Sequence, residues 1–299
     1  MPAGGPIDLR TVLGWYPESR NVLRVAGPDA IAYTQGQLSQ DIDALAVGSS
    51  ARSFVLQPTG KVDAWVRVTR VAADEVVVDV DGGHGEALMA RLRRFLLRTK
   101  ADIDALDWRA VAIRGPGAAD AVPAELGDDA LVAPAGWPGV DGVDVLGRAA
   151  EPPSGVPEVD AAAYESLRIR SGVPRMGAEL TDATIPAEAG RWVIDASVSF
   201  TKGCFTGQEL VARIQSRGGH VPRHLRGLVA DAGEQPPLGA SLVVEGAEVG
   251  KVTSAAPAPG AGGSLALAYV GRAVTPPAAA QVRQGGEALP VTVVDLPME

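Results

Sequence analysis

Thirty-six glycines and 23 prolines interrupt this chain of 299 residues, so it has to fold through many turns. The 46% of apolar residues against 21% charged is too rich for disorder. A chain of this length exceeds the usual single domain, and two or three compact units follow. The formal charge of -9 opposes a broad nucleic-acid surface, and no nucleic-acid partner is expected. One cysteine excludes an internal disulfide, a Cys-x-x-Cys redox pair and a four-thiolate metal site, which fits a reducing cytoplasm. Residues 1–14 lack a basic leader and a continuous apolar core, so no secretory signal is read there. No run reaches the roughly 18 apolar residues that membrane insertion needs.

Residues 22–25 alternate as a strand, Gly27-Pro28-Asp29 makes a turn, and residues 30–38 begin a helix. The same order returns over residues 111–119 around Gly115-Pro116-Gly117, which predicts a two-fold internal repeat. Between the copies, residues 53–56, 64–69 and 75–80 read as antiparallel strands, with Pro58-Thr59-Gly60-Lys61 as the first turn. Residues 85–99 predict an amphipathic helix, with Leu88, Leu92, Phe95 and Leu96 inward and Arg91, Arg94 and Arg98 forming a solvated basic stripe. A Gly- and Pro-rich connection follows at 133–157, with a short strand at 140–146 inside it. Residues 161–171 read as a helix stopped by Gly172 and Pro174. Strand-like runs at 225–229, 241–245, 247–253, 265–270 and 291–295 package as a small β-barrel or sandwich.

The densest chemistry lies in Thr201-Lys202-Gly203-Cys204-Phe205-Thr206-Gly207-Gln208-Glu209. A thiol becomes nucleophilic as its thiolate, which a nearby ammonium or a helix amino end favours. Lys202 stands two positions before the sulfur, and Thr206 with Glu209 spells a capping box for the helix that follows. The alternative is that Cys204 packs as a small hydrophobe. The two Gly-Pro turns do not make a dinucleotide site, because the glycine spacing is incomplete and proline lacks a donor. His84, His220 and His224 do not make a zinc hydrolase, since Pro222 breaks the helix that would align the last two. Glu188, in a polar turn, can accept two parallel hydrogen bonds from a ring N–H and its exocyclic amine, as a pterin offers.

The chain resembles the YgfZ-type folate-binding proteins that support iron–sulfur enzymes, relatives of the glycine-cleavage T-protein. The matching residues are Gly27-Pro28-Asp29-Ala30, Tyr33-Thr34-Gln35-Gly36-Gln37 with Asp41, Pro58-Thr59-Gly60-Lys61 and residues 94–100. Arg168-Ile169 with Gly172 and Pro174, Ile185-Pro186-Ala187-Glu188 and above all residues 202–209 complete the set. The resemblance implies an α+β, T-protein-like fold: two intertwined units around a central pocket over residues 1–224, then a β-barrel over 225–299. It implies tetrahydrofolate or a one-carbon derivative as ligand, no permanently bound metal, and iron–sulfur client enzymes or assembly factors as partners of a cytoplasmic monomer. Cys204 and Lys202 take the catalytic positions, while Glu188, Tyr164, Arg213 and Gln208 take the folate-binding ones. True aminomethyltransferases carry an acidic pair that, aligned on Gly60, falls on Ala64 and Trp65. Asp63 comes one residue early, and in a strand that offset points a side chain to the opposite face. Aminomethyl or one-carbon transfer is the alternative activity, and a non-catalytic folate-sensing scaffold the third.

Overall fold

The computed structural model describes residues 6–298 apart from 128, 232–234 and 261. Its elements run β1 (Gly14–Glu18), β2 (Arg20–Ala26), α1 (Ala30–Gln37), β3 (Ser50–Leu56), β4 (Val62–Ala72), β5 (Glu75–Asp81), α2 (Gly85–Arg93), β6 (Asp102–Leu106) and β7 (Arg109–Arg114). There follow β8 (Leu131–Pro134), β9 (Gly142–Gly147), α3 (Ala161–Arg170), a short 3-10 helix (Pro186–Ala189), α4 (Arg191–Ser197) and α5 (Gln208–Ser216). The last six strands are β10 (Arg223–Ala230), β11 (Ser241–Val244), β12 (Ala247–Pro257), β13 (Ser264–Gly271), β14 (Ala278–Gln284) and β15 (Glu287–Val294).

Three sheets result. A five-stranded sheet takes the order β3-β4-β5-β2-β6, a four-stranded sheet β1-β7-β9-β8, and the last six strands close a barrel in the order β10-β13-β12-β11-β14-β15. The first strand leaves its sequence neighbours and pairs antiparallel with β7, Gly14 opposite Arg114, so the two α+β units interleave. This is the T-protein-like α+β architecture with a carboxyl-terminal barrel. The valine-rich strands β4 and β5 bury Val66, Val68, Val78 and Val80, as β-branched residues on a sheet covered on both faces should. The barrel encloses its own core around Leu228, Leu242, Val252, Ala266 and Val293.

Both Gly-Pro turns are built alike. Gly27 (φ 131°) and Gly115 (φ 111°) each follow a strand, and a Cβ at either would sit 2.6 or 2.4 Å from a backbone carbonyl, of Lys100 and Val12 respectively. The second copy continues as successive turns over residues 115–122 instead of a helix. The predicted helix 85–99 stops at Arg93, leaving Phe95 40% and Leu97 82% exposed. Arg91 is no member of a solvated stripe: it pairs with Asp63 at 2.8 Å and donates to the Leu56 carbonyl at 3.0 Å. The connection at 133–157 is more structured than its composition predicts, because β9 pairs with both β7 and β8.

The two sheets meet across an apolar cluster of Val22, Val77, Ala110 and Leu146 and, beside it, across buried charges. Arg67 on β4 holds Asp79 of β5 with two bonds, at 2.9 and 3.1 Å, and Asp144 of β9 at 2.5 Å. Arg114 of β7 takes the other Asp144 oxygen at 2.7 Å, and Arg20 binds Asp79 at 2.8 Å and also Asp81. Burial by itself would raise the proton affinity of Asp79, but the guanidiniums of Arg67 and Arg20 outweigh it and hold the carboxyl below its usual range. Removing one partner of such a group strands the others without water. Arg67→Leu is expected to cost about 3 to 5 kcal/mol in urea unfolding; a loss within about 0.5 kcal/mol, the range of ordinary surface changes, would contradict the role given to this network.

Candidate functional site: a thiol loop beside an aromatic chamber

The loop that carries Cys204 is fixed at both ends. Before the cysteine, Ser199 N–H donates to Ser39 O at 3.0 Å, and after it Thr206 N–H donates to Gly36 O at 3.3 Å. On its carboxyl side, Gly207 adopts φ 80° and lies so close to the β3–β4 turn that a Cβ there would stand 2.4 Å from Gln57 O. Gly60 in that turn has φ 81° and equally faces Leu210 of α5, its Cβ position 2.5 Å from Leu210 Cβ. Two glycines therefore permit a backbone-to-backbone contact that side chains would block.

This contact displaces the predicted capping box. Gly207, not Thr206, is the N-cap of α5, because the left-handed backbone needed there excludes a β-branched residue. The Thr206 hydroxyl makes no cap bond. Gln208 reaches back instead, its Oε1 accepting from Phe205 N–H at 3.2 Å. Cys204 itself is exposed.

Lys202 points away from the role expected of it as a thiol activator. Its ammonium donates to the carbonyls of Gln35, Leu38 and Gln40 at 2.5, 2.7 and 2.8 Å, so all three protons are used at the carboxyl end of α1. A cation suits that negative helix end. Burial pushes its pKa down to about 8, against the pull of Asp41 and Asp43. It staples the thiol loop to α1.

The β3–β4 turn is tied in turn to the segment before Glu188: Gln57 Nε2 donates to Asp182 O at 3.2 Å and Val62 N–H to Thr184 O at 3.1 Å. Four motifs distant in sequence thus converge around one loop. Glu188 is buried, accepts from Ile185 N–H at 3.2 Å and pairs with Arg223 of β10 at 3.1 Å, while that guanidinium covers the Tyr269 ring at 4.3 Å. The 3-10 helix is thereby fastened to the barrel.

A chamber lies between the two sheets. Its narrow inner part, about 30 Å³, is walled by Trp65, Trp137 and Tyr164 with Glu18, Arg20, Arg52 and Asp81, and opens on an outer cavity of about 570 Å³. Glu18, Asp81, Tyr164 and Arg175 line both. Tyr164 is stacked on Tyr16 with centroids 4.4 Å apart, tilted against Trp137 at 5.3 Å, and accepts from Arg114 at 3.1 Å. Of the residues assigned to the folate, Tyr164 reaches this chamber. Glu188, Gln208 and Cys204 are not among its lining residues, and Arg213 stands exposed on α5.

Asp63 also lies apart, for a reason that the strand explains. Leu56 pairs with Val62 and Val55 with Ala64, so Asp63 is the extra residue of a β-bulge. It faces α2 and Arg91 in a separate cavity of about 220 Å³, while Trp65 enters the chamber. Glu18 and Arg52 escaped the sequence reading. Their signal was a lone charge inside a strand-like run, which ordinarily marks a solvent-facing position.

The fold places the chain in the T-protein-like class. It superposes on the crystal structure of the glycine cleavage system aminomethyltransferase T from Bartonella henselae with a TM-score of 0.77 and 23% identity, over 97% of this chain and 87% of that one. Residues 223–298 match the family model of the glycine cleavage T-protein C-terminal barrel domain. An aminomethyltransferase from Streptomyces avermitilis is 32% identical over 80% of this chain and 63% of its own length. The tRNA-modifying protein YgfZ from Edwardsiella ictaluri is 29% identical over 71% and 68%. The chain spans about two thirds of the first relatives that it matches. The chain thus has a T-protein-like fold, and its last six strands form the barrel that the C-terminal family model describes.

The Lys202 staple has a pH signature. In the folded chain the carbon shift of Cε at Lys202 should titrate near pH 8; a midpoint at the ordinary 10.5 would contradict the burial. Since the unfolded chain keeps that proton to higher pH, the lysine's contribution to folding becomes more favourable as pH rises from about 8 to 10.5.

Proposed function

We propose that this protein binds tetrahydrofolate or a one-carbon derivative in the central chamber and assists the assembly or repair of iron–sulfur clusters in client enzymes through Cys204. The observation that carries the reading is the pairing of an exposed thiol on a doubly anchored loop with an aromatic-walled chamber in a T-protein-like fold. In the outer cavity of about 570 Å³, the stacked Tyr16 and Tyr164 rings supply an apolar wall for a planar heterocycle, and neighbouring charged groups supply hydrogen-bonding edges. Tyr16 and Tyr164 would hold the ring; bound folate would supply a one-carbon carrier. Lys202 holds the loop, and Cys204 offers its sulfur to the solvent side, where a client can reach it.

One thiolate cannot hold a cluster alone, so the remaining ligands come from the client or a small thiol. Exchange with a client disulfide is the other use of such a sulfur. The reading places the protein in the cytoplasm as a monomer. Aminomethyl transfer is the weaker alternative, because Asp63 faces α2 and is ion-paired with Arg91. A folate-sensing scaffold whose cysteine merely packs inside sits poorly with an exposed Cys204.

Tetrahydrofolate titrated into the purified protein should bind with one site, and Cys204→Ser should fail to restore client activity in cells lacking the wild type. Full restoration by the serine variant would remove the thiol from the mechanism, and absence of binding would remove the folate. Alkylation of Cys204 at neutral pH should run at a rate comparable with free cysteine; a rate slower by orders of magnitude would mean that the thiol is shielded.

A further inference from the structure

The arginines that the charge network holds between the sheets have carboxylates, and the half-buried Arg52 beside them is the exception. Arg20, Arg67 and Arg114 pair with Asp79, Asp81 and Asp144, and Arg168 with Glu165 and Glu179. Arg52 of β3, on the wall of the inner chamber, has no carboxylate partner among the described residues. Its guanidinium lies over the Trp65 ring, 4.8 Å from the centroid, and donates once, to Ala135 O at 3.1 Å. A guanidinium carries five donors, so most of its fork is unspent. Burial, together with the like charges of Arg67 and Arg20, pushes its pKa down to about 10 in spite of Asp79 and Asp144 nearby.

Holding a cation so placed costs free energy, and nothing else in the chamber uses it. Across the same chamber Glu18 makes no hydrogen bond to the described residues, its closest cation being Arg114 at 4.0 Å. Unspent donors and an unspent acceptor face one small space with aromatic walls. The ion pairs around them are already complete, so neither group is needed to close the network.

We propose that Arg52 is the ligand-reading cation of this protein: its planar fork binds an acceptor oxygen that a flat ligand in the outer cavity extends into the inner chamber. The inference rests on the folate reading for the name of that ligand, but its chemistry is narrower. The oxygen is either the oxo group of a pterin ring or a carboxylate of the acyl-glutamate tail. The inner chamber, about 30 Å³, admits a group the size of one water, so the body of the ligand lies in the outer cavity of about 570 Å³ and only its oxygen reaches Arg52. A neutral side chain at 52 would keep the aromatic walls and lose the reading.

Calorimetry on the full chain separates these possibilities. Arg52→Leu should weaken tetrahydrofolate by about 10- to 100-fold, the loss expected for charge-assisted hydrogen bonds. Its melting temperature should stay at or above that of the wild type, because the substitution removes an unpaired charge; Arg52→Lys, which keeps charge without the fork, should bind with intermediate affinity. A tail-free methyltetrahydropterin weakened in the same proportion assigns the contact to the ring, and weakening confined to p-aminobenzoylglutamate assigns it to the tail. If the wild type ignores tetrahydrofolate yet binds p-aminobenzoate in an Arg52-dependent way, the folate reading falls and this inference stands. Equal affinities of wild type, Arg52→Leu and Arg52→Lys for every probe would overturn it.

Discussion

The structure turns on the pair of salt links that Arg67 makes to Asp79 and Asp144, because they join one sheet to the other beyond the reach of the apolar cluster of Val22, Val77, Ala110 and Leu146. A hydrophobic contact would close that space completely, since apolar side chains interdigitate to high density. A charge network with fixed bond directions keeps the sheets apart and leaves a chamber among them. Arg114 and Arg20 extend the network to β7 and β2, and Tyr164 joins it through Arg114. The aromatic walls are thus held by groups that cannot slide without leaving a buried charge unpaired.

The thiol loop depends on a different kind of constraint. Three carbonyls at the end of α1 converge on the Lys202 ammonium, and the Gly60–Gly207 contact locks the other end of the loop onto the β3–β4 turn. Neither device restrains the sulfur itself, which stays accessible. The chamber and the loop share β3 and its following turn: Arg52 and Phe54 lie on the strand, Gln57 and Gly60 in the turn. A ligand that moves the Trp65 and Arg52 side of the chamber therefore acts on the strand that supports the thiol loop.

Much of this was legible from the residues. The strand runs around Pro58-Thr59-Gly60-Lys61, the helix stopped at Gly172 and the run of barrel strands follow from period-two alternation and turn chemistry, which are local. The crossing of β1 to β7 was not legible, because nothing local distinguishes a strand that pairs with its neighbour from one that pairs across the chain. The α5 cap was misread for an informative reason. Thr206 and Glu209 carry the capping-box signature, but a tertiary contact with Gln57 imposes a left-handed N-cap that only Gly207 supplies. The charge network was invisible for the converse reason: Arg67 in a valine-rich strand looks like a solvent-facing residue until a second sheet covers it. Glu188, which by residue type alone is more often a surface acid, is buried, and its carboxylate is tied to Arg223 and the barrel.

The central claim is that the space held open between the sheets is a ligand site read by Arg52 and walled by Trp65, Trp137 and Tyr164. A crystal structure with tetrahydrofolate bound tests it most directly. The predicted result is ring density in the outer cavity beside Tyr164, with an acceptor oxygen in hydrogen-bonding distance of the Arg52 guanidinium. Density for the ring beside Glu188 and Arg223, with the inner chamber unchanged, would contradict it.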